Sequence, residues 1–312
     1  MSISARITTR SLLAVLAAGA VATPAAAAPV RNPKSPEQTS AYWTPEKMKN
    51  AKPRERAKPG GGGASGGGAA ADWSGFTVPL VGGAYAGENR QNGKVFMTID
   101  SVNYVCSGTA VTATTGVNLV WTAGHCTTDG PGHDATNFLF VPGYYKGAEP
   151  NGRWAATLVD STPGWEGQGA DRFRYDVGAA RVTRVAGTPT TFAAGIGTRP
   201  ISFGVDPAAK RIVSIGYPAA GKFNGSQQFG CTSPFRRWDT VALLDPMQIS
   251  CDMTGGSSGG GWFYDVNANR VADAGEPLIS VNSYGYQGEK NTMYGPYMAA
   301  GGQAQALYNA MD

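Results

Sequence analysis

From about residue 93 onward, the chain alternates short apolar runs with Gly, Pro, Asn and Asp residues. Short runs separated by turn-forming residues are typical of a β-barrel or β-sandwich. The pattern predicts strands in six stretches, namely residues 94–99, 104–111, 118–123, 176–182, 211–217 and 278–284. We therefore predict an all-β domain within residues 72–312.

Helical periodicity is confined to two short stretches. Over Gln303–Met311, the residues Ala304, Leu307 and Met311 recur at i, i+3 and i+7, which predicts a C-terminal helix with one apolar face. Residues 44–50 begin with a Thr-Pro pair, a start signal that predicts a second, shorter helix.

The first 28 residues have the composition of a secretory signal peptide. Arg6 and Arg10 precede an apolar run over residues 12–21, and four alanines at residues 25–28 supply the small residues of a cleavage site. The run is short and rich in alanine for a membrane span, and no later apolar stretch is long enough to cross a bilayer. We therefore predict a secreted, extracellular protein with no membrane anchor.

Residues 29–71 are polar and basic, and they include a glycine-rich run over residues 60–68. Residues 1–71 hold ten of the 26 Lys and Arg residues and three of the 22 Asp and Glu residues, so the rest of the chain has a net charge of −3. A body of that charge does not favour binding to nucleic acid. Two interpretations of residues 29–71 stay open: a disordered tether, or a prosegment that is removed on maturation.

Four cysteines follow the signal peptide: Cys106, Cys126, Cys231 and Cys251. Of the three pairings they allow, one closes two short loops, Cys106 with Cys126 and Cys231 with Cys251. In an oxidising compartment, each such bridge stabilises the fold by roughly 3 kcal/mol by restricting the unfolded chain. A zinc site is the alternative, but no cysteine pair has the close spacing of zinc ligands. We therefore predict the two local disulfides.

A loop of glycine and serine, residues 254–261, lies between a partly apolar run and three successive aromatic residues. A flexible linker would not have such flanks, so we predict a tight loop between two strands. A loop of this kind can expose one hydroxyl and direct several backbone N–H groups at one point, as acyl transfer requires. Ser258 is the central serine of its Gly-x-Ser-Gly-Gly core and is the candidate nucleophile.

A nucleophilic serine needs a base and an orienting carboxylate. His125 ends a predicted strand and precedes Cys126, whose disulfide would fix the backbone that presents the imidazole, whereas His133 follows an evident loop. Asp176 begins a predicted apolar strand, where a carboxylate can be buried against the base. Asp171, in a charged stretch, is the competitor. The chain order His, Asp, Ser favours Asp176.

Three stretches resemble the signature stretches of the chymotrypsin-like (trypsin-fold) serine endopeptidases. They are Thr122-Ala123-Gly124-His125-Cys126, Asp176-Val177-Gly178-Ala179 and Gly256-Ser257-Ser258-Gly259-Gly260. The resemblance covers roughly residues 93–312 and is greatest to the secreted bacterial branch that includes the glutamyl endopeptidases. It implies two six-stranded antiparallel β-barrels, over about residues 93–200 and 201–312, with the cleft between them and a helix at the end. Shorter stretches agree with it, namely Cys106-Ser107-Gly108-Thr109, Gly216-Tyr217-Pro218, Ser283-Tyr284-Gly285 and Gly295-Pro296-Tyr297.

The resemblance also implies the role of each residue. Ser258 would attack the peptide carbonyl, His125 would take and return the proton, and Asp176 would hold the imidazole. The N–H groups of Gly256 and Ser258 would form the oxyanion hole. Ser283 would support Asp176 by a hydrogen bond. The substrate-binding strand would consist of Ser283, Tyr284 and Gly285. The substrate would be a polypeptide, and we expect a monomer that needs no cofactor.

Three positions depart from the family pattern. Ser257 stands where trypsins have the Asp that pairs with a newly cut N-terminus, so activation by insertion of the N-terminus is not expected. Asn282 stands where glutamyl endopeptidases have His, which does not support specificity for acidic residues. Asp252 lies six residues before Ser258, the spacing of the carboxylate at the base of the trypsin pocket, so specificity for Lys and Arg stays open.

Residues 265–276 partly match a calcium-binding loop. Positions 1, 3, 5, 9 and 12 of that loop carry oxygen-bearing side chains, namely Asp265, Asn267, Asn269, Asp273 and Glu276. Arg270 replaces the glycine expected at position 6, and strands flank the loop in place of helices. A polar hairpin turn is the alternative to a calcium site.

Two classes of function are left by the sequence: a serine endopeptidase, and a catalytically silent homologue that binds peptides or a partner in the same cleft. The intact set of His125, Asp176 and Ser258 favours the enzyme. An esterase of the α/β-hydrolase type is excluded because its His follows its Ser in the chain. If residues 29–71 are a prosegment, we expect them to dock on or near the cleft, with apolar contacts such as Trp43 or Met48 adding to a screened charge attraction.

Overall fold

The computed structural model describes residues 28–58, 72–167, 169–185, 191–239, 246–267, 272–273 and 275–312. The predicted signal peptide, except its last residue, and the glycine-rich run at residues 60–68 lie outside these ranges. Within them, no helix is long and apolar enough to cross a bilayer.

The segment before the glycine-rich run is folded against the rest of the chain. Its elements are strand β1 (Val30–Arg31), helices α1 (Pro36–Tyr42) and α2 (Pro45–Asn50), and strands β2 (Lys52–Pro53) and β3 (Ala57–Lys58). Helix α2 confirms the short helix predicted from the Thr-Pro pair, and the Thr44 hydroxyl accepts the Lys47 N–H at 3.2 Å. Helix α1 was not predicted, although Ser35 and Gln38 form a reciprocal capping pair at its start.

Strand β4 (Ser74–Thr77) follows and joins the second half of the fold. The next six strands are β5 (Asn92–Ile99), β6 (Val102–Val111), β7 (Leu119–Thr122), β8 (Thr136–Pro142), β9 (Trp154–Ser161) and β10 (Gly178–Arg184). They pair in the order β9-β10-β7-β6-β5-β8, and the pairing of β8 with β9 closes an antiparallel barrel. Two short helices flank its last strand: α3 (Pro163–Glu166) precedes β10, and α4 (Phe192–Gly195) follows it.

The second half has eight more strands. They are β11 (Arg211–Gly216), β12 (Phe229–Pro234), β13 (Arg237–Trp238), β14 (Met247–Ser250), β15 (Gly261–Asp265), β16 (Leu278–Val281), β17 (Gly285–Tyr286) and β18 (Thr292–Gly295). One sheet has the order β16-β15-β11-β12-β4, and a second has the order β13-β14-β18. The predicted all-β class is confirmed. The first half is one closed barrel, whereas the strands of the second half lie in these two sheets, except β17, which pairs with β3 in a two-stranded sheet.

The chain ends in helix α5 (Gln303–Met311), which confirms the predicted helix. Its periodic residues Ala304, Leu307 and Met311 are buried in the main core. The Arg181 guanidinium, on β10, donates to the carbonyl of Met311 at 2.9 Å. This cation at the C-terminal end of the helix satisfies a free carbonyl and ties the helix to the first barrel.

Both predicted disulfides are confirmed, Cys106 with Cys126 and Cys231 with Cys251. Cys106 lies in β6 and Cys126 directly follows His125, so the first bridge ties the histidine to the barrel. The zinc alternative is wrong because all four cysteine sulfurs are used in disulfides.

Removal of either disulfide should lower the free energy of unfolding by roughly 3 kcal/mol, because each bridge restricts a short loop of the unfolded chain. The double variants Cys106→Ser/Cys126→Ser and Cys231→Ser/Cys251→Ser should each be compared with the wild type by urea denaturation. A loss well below about 1 kcal/mol for either pair would contradict the entropic estimate.

Candidate active site

Ser258 lies in the loop between β14 and β15, where the sequence predicts a tight turn. Gly256 and Gly259 have φ angles of +93° and +79°, which glycine adopts without strain. Gly259 also has no room for a side chain, since a β-carbon there would lie 2.0 Å from the Thr122 hydroxyl and 2.4 Å from the Ser107 carbonyl. The loop therefore packs closely against the first barrel, and Ser258 lies where the loop meets the barrel.

Ser107 makes most of this attachment. Its N–H donates to the carbonyl of Ser258 at 2.7 Å, and its hydroxyl donates to the carbonyl of Gly256 at 2.9 Å. The same hydroxyl accepts the N–H of Tyr217 at 2.8 Å. No role for Ser107 was predicted from the sequence. Its position directly after Cys106, in a stretch that resembles a stretch of the family, could have indicated a role.

His125 and Asp176 form a buried pair, and each is 0 % exposed. His125 Nδ1 lies 2.7 Å from Asp176 Oδ2, and the His125 backbone N–H donates to Asp176 Oδ1 at 2.8 Å. The Ser283 hydroxyl donates to Oδ2 at 2.5 Å, as the resemblance implied. Asp176 precedes β10 by two residues and does not begin it. The side chain of the competitor, Asp171, lies outside the described residues.

The pair is set for the protonation states that a general base needs. Burial lowers the pKa of the His125 imidazole below its ordinary value, against the opposing charge of Asp176. Burial alone would raise the pKa of Asp176, but the interaction with His125 and the hydrogen bonds from His125 and Ser283 lower it. The carboxylate is therefore ionised and the imidazole neutral at neutral pH.

The Ser258 hydroxyl does not donate to His125. It donates to the carbonyl of Arg54 at 3.1 Å, and the Gly256 N–H donates to the same carbonyl at 3.2 Å. Of the predicted oxyanion donors, the Gly256 N–H is thus seen to bind a carbonyl oxygen beside the nucleophile. The other nitrogen of the imidazole, His125 Nε2, is buried and has no hydrogen-bond partner among the described residues.

A cavity of about 440 Å³ opens beside Ser258. Its lining includes the three predicted substrate-strand residues, Ser283, Tyr284 and Gly285. Asp252 also lines it, but its carboxylate is paired with Lys222. The Asp252 carboxylate, six residues before Ser258, therefore lines the cavity, and its charge is already paired with that of Lys222.

Comparisons with known proteins identify the family of the chain. Residues 106–272 match the family model of the trypsin-like peptidase domain. Protease Anisep from Arthrobacter nicotinovorans is similar in structure, with 37% identity, a TM-score of 0.63, and coverage of 71% of this chain and 95% of that one. The chain belongs to the trypsin-like peptidase family. It is a serine endopeptidase.

Two further trypsin-fold structures are similar. A thermostable serine protease, AL20, from an extremophilic microorganism shares 36% identity, with a TM-score of 0.61 and coverage of 71% of this chain and 96% of that one. A Glu endopeptidase shares 19% identity, with a TM-score of 0.54 and coverage of 75% of this chain and 94% of that one, which shows the common fold. A comparison with curated protein sequences returns no match.

Asn282 has a structural role in this peptidase and does not line the cavity. It is 0 % exposed, and its Oδ1 accepts the Ser214 hydroxyl at 2.8 Å and the Trp262 indole N–H at 2.7 Å. Its Nδ2 donates to the carbonyl of Ser257 at 3.1 Å, and the Ser257 hydroxyl donates to the carbonyl of Thr254 at 2.8 Å. These contacts stabilise the nucleophile loop from below, with no carboxylate at position 257.

The predicted calcium loop is described only in part. Glu276 is buried, and its two carboxylate oxygens accept the N–H groups of Val266 at 2.7 Å and Asp273 at 2.6 Å. These contacts close the loop as a polar hairpin turn would. Asn269 and Arg270 lie outside the described residues, so calcium binding at this loop stays a prediction.

The free energy of unfolding should fall as the pH is lowered from about 6.5, the ordinary pKa of histidine. Below that pH the unfolded chain takes up a proton at His125 that the folded chain, with its lowered pKa, does not, so this part of the stability is lost. The measurement is urea denaturation of the Ser258→Ala chain with and without His125→Gln, from about pH 7.5 to about pH 5.

The stability difference between the two chains should shrink as the pH falls. His133→Gln is the matched control because His133 is the exposed histidine of the chain. A difference that stays constant over this pH range would contradict the lowered pKa.

Proposed function

We propose that this trypsin-like peptidase is secreted and hydrolyses polypeptides as a monomer, through His125, Asp176 and Ser258 and a covalent acyl-enzyme. The observation that carries the proposal is the buried Asp176 carboxylate, which binds both Nδ1 and the backbone N–H of His125. A buried carboxylate that fixes one imidazole at both points keeps the free nitrogen, Nε2, available as a base.

In the first half-reaction, the Ser258 oxygen attacks the carbonyl carbon of the peptide while Nε2 of His125 accepts the hydroxyl proton. Asp176 stabilises the resulting imidazolium and holds the Nδ1–H tautomer. The C–N bond then breaks, and the imidazolium gives its proton to the leaving amine. The products are the amine fragment and an ester of Ser258.

In the second half-reaction, water replaces the amine. His125 accepts a proton from the water as its oxygen attacks the ester carbon, and then returns that proton to the Ser258 oxygen as the acyl group leaves. Negative charge develops on the carbonyl oxygen in both steps. The N–H groups of Gly256 and Ser258 are proposed to stabilise it, at about 3–4 kcal/mol of barrier for a donor.

Secretion is proposed from the signal-like residues 1–28 and from the two disulfides, which form and persist in oxidising compartments. The body of the chain has no basic excess that would direct it to nucleic acid. Residues 29–71 are proposed to be a prosegment, because residues 51–58 lie across the Ser258 site.

Ser258→Ala and His125→Ala should each abolish measurable peptidase activity and fluorophosphonate labelling, since each removes a member of the proposed triad. Labelling is followed by mass spectrometry after the chain has been cut within residues 59–71 and the segment removed. Ser202→Ala is the matched control, because it removes a serine hydroxyl that does not line the cavity beside Ser258 and should keep the label on Ser258. Activity of Ser258→Ala within a few-fold of wild type would refute the triad and leave a peptide-binding homologue as the alternative.

Chains that begin at residues 66, 70 and 74 should have similar activity. The nucleophile loop is held by the Ser257–Thr254 and Asn282–Ser257 hydrogen bonds, so no ion pair with the new N-terminus is needed. A chain that begins at residue 79 is the contrast, because it lacks β4 and its pairing with β12. Peptidase assays on this series check the prediction, and activity confined to one start site would contradict it.

A further inference from the structure

Residues 51–58 cross the active site from β6 to β17. At one end, β2 pairs with β6 in parallel, with Lys52 opposite Tyr104, and the Arg54 N–H donates to the carbonyl of Val105 at 2.9 Å. At the other end, β3 pairs with β17 in parallel, with Ala57 opposite Gly285. The segment therefore pairs with one strand at each end of the crossing and runs in the same direction as each of them.

The carbonyl of Arg54 occupies the centre of this crossing. It accepts the Gly256 N–H and the Ser258 hydroxyl, which are the proposed oxyanion donor and the proposed nucleophile. A substrate carbonyl cannot reach these groups while Arg54 is bound. The hydroxyl proton is also directed away from His125 Nε2, so the transfer that activates the serine cannot begin.

The bond that follows this carbonyl, between Arg54 and Glu55, is not set for attack, because the Ser258 hydroxyl donates to the carbonyl oxygen and not to His125 Nε2. Cleavage would require the Glu55 nitrogen, as leaving group, to receive a proton from His125 Nε2. That nitrogen of the imidazole has no hydrogen-bond partner among the described residues. The Glu55 side chain lies against Gly255, where an added β-carbon would come within 2.8 Å of Glu55 Cβ.

The carbonyl carbon of a peptide bears Cα on one side and the nitrogen of the next residue on the other, so reversing the chain with the carbonyl in place exchanges these two atoms. A peptide that brings its leaving nitrogen to His125 must then run opposite to residues 51–58. We infer that residues 51–58 are a self-inhibitory segment threaded against the direction of substrates, so that Arg54 fills the oxyanion hole without being cut. This inference rests on the proposed function of the Ser258 site.

Two arginines hold the segment over the histidine. Arg54 is 7 % exposed, its Nε donates to the carbonyl of His125 at 3.2 Å, and its guanidinium lies 4.4 Å from the centre of the Tyr104 ring. Asp129, three residues after Cys126, is paired with both Arg54 and Arg56. Charge-assisted hydrogen bonds of this kind are among the strong contacts of a folded chain.

The preceding helices anchor the segment to the outside of the first barrel. Trp43 is 1 % exposed, packs on Phe96, and donates its indole N–H to the carbonyl of Asn137 at 2.6 Å. Met48 is buried in the same cluster. Arg153, from the barrel, donates to the carbonyl of Trp43 at 2.9 Å. The inhibitory strand is thus one end of a docked unit, and the apolar contacts that docking requires are present.

The first test maps the threading direction in the full chain from residue 29. A benzoylphenylalanine photo-crosslinker placed at Lys52 should react near Tyr104, and one placed at Lys58 should react near Tyr286. Exchange of these two positions, with Lys52 linked near Tyr286, would overturn the reversed threading. A new N-terminus at Glu55 after prolonged incubation would overturn it as well.

The second test measures the rate of fluorophosphonate labelling of Ser258, with intact mass separating uncut from cut chains. In uncut chains, Arg54→Ala/Arg56→Ala should label at least about tenfold faster than wild type, equivalent to about 1.4 kcal/mol. Asp129→Asn should change the rate in the same direction. Lys49→Ala/Lys52→Ala is the matched control, since it removes two exposed charges, one from α2 and one from β2, and should label at the wild-type rate.

Equal rates in the arginine variant and its lysine control, or an uncut chain that labels as fast as the cut one, would refute inhibition while the peptidase assignment stands. Failure of Ser258 to label even in the cut chain would refute the proposed function, and the crosslinks would still decide the direction of the segment.

Discussion

The charge of Asp176 is the constraint on which the site depends. A fully buried carboxylate costs several kcal/mol unless hydrogen-bond donors surround it. Here the donors come from two distant stretches of the chain: His125 follows β7 in the first barrel, and Ser283 follows β16 in the second half. Gly124 makes the approach possible, since a β-carbon there would lie 2.7 Å from the Trp165 ring and 3.1 Å from Asp176 Oδ1. Satisfying one charge therefore brings both halves of the fold together.

Strand β6 also holds two parts of the site, through two adjacent residues. Cys106 is bonded to Cys126, beside the base, and its neighbour Ser107 binds both Gly256 and Ser258. Successive residues of a strand point to opposite faces. Two adjacent residues can therefore hold the histidine loop on one side and the nucleophile loop on the other. The distance between base and nucleophile is then set by a single rigid strand, with neither loop required to be rigid by itself.

Much of this could be predicted from the sequence, because the signals were local. The Gly/Ser loop, the short cysteine loops and the i, i+3, i+7 spacing of α5 each depend on residues close together in the chain. The contacts that were missed join residues far apart, such as Ser107 with Gly256 and Asn282 with Ser257. Nothing in an isolated Asn indicates that its amide will be enclosed by a Trp and two Ser residues.

The direction of the docked segment is a further feature that could not be predicted from the sequence. Its basic charge and the apolar Trp43 predicted attraction to the body, but charge has no direction along the chain. The direction is set by which backbone N–H and carbonyl groups meet β6 and β17, and a run such as Lys52-Pro53-Arg54-Glu55-Arg56 pairs equally well either way on propensity alone. Only the register at Val105 and Gly285 decides it.

Covalent attachment gives the segment a further property. While residues 59–71 link it to β4, its binding is intramolecular, which raises its effective concentration at the site. A cut there removes this advantage but none of the contacts of Trp43, Arg54 or Arg56. Release of the cut segment from the active site is then a separate step. Its rate is the rate at which the segment dissociates, because the reversed direction prevents Ser258 from cleaving it. An enzyme whose inhibitory strand binds in the direction of a substrate would cut that strand and become active at its catalytic rate. In this enzyme, the segment is instead removed by dilution or by another protease.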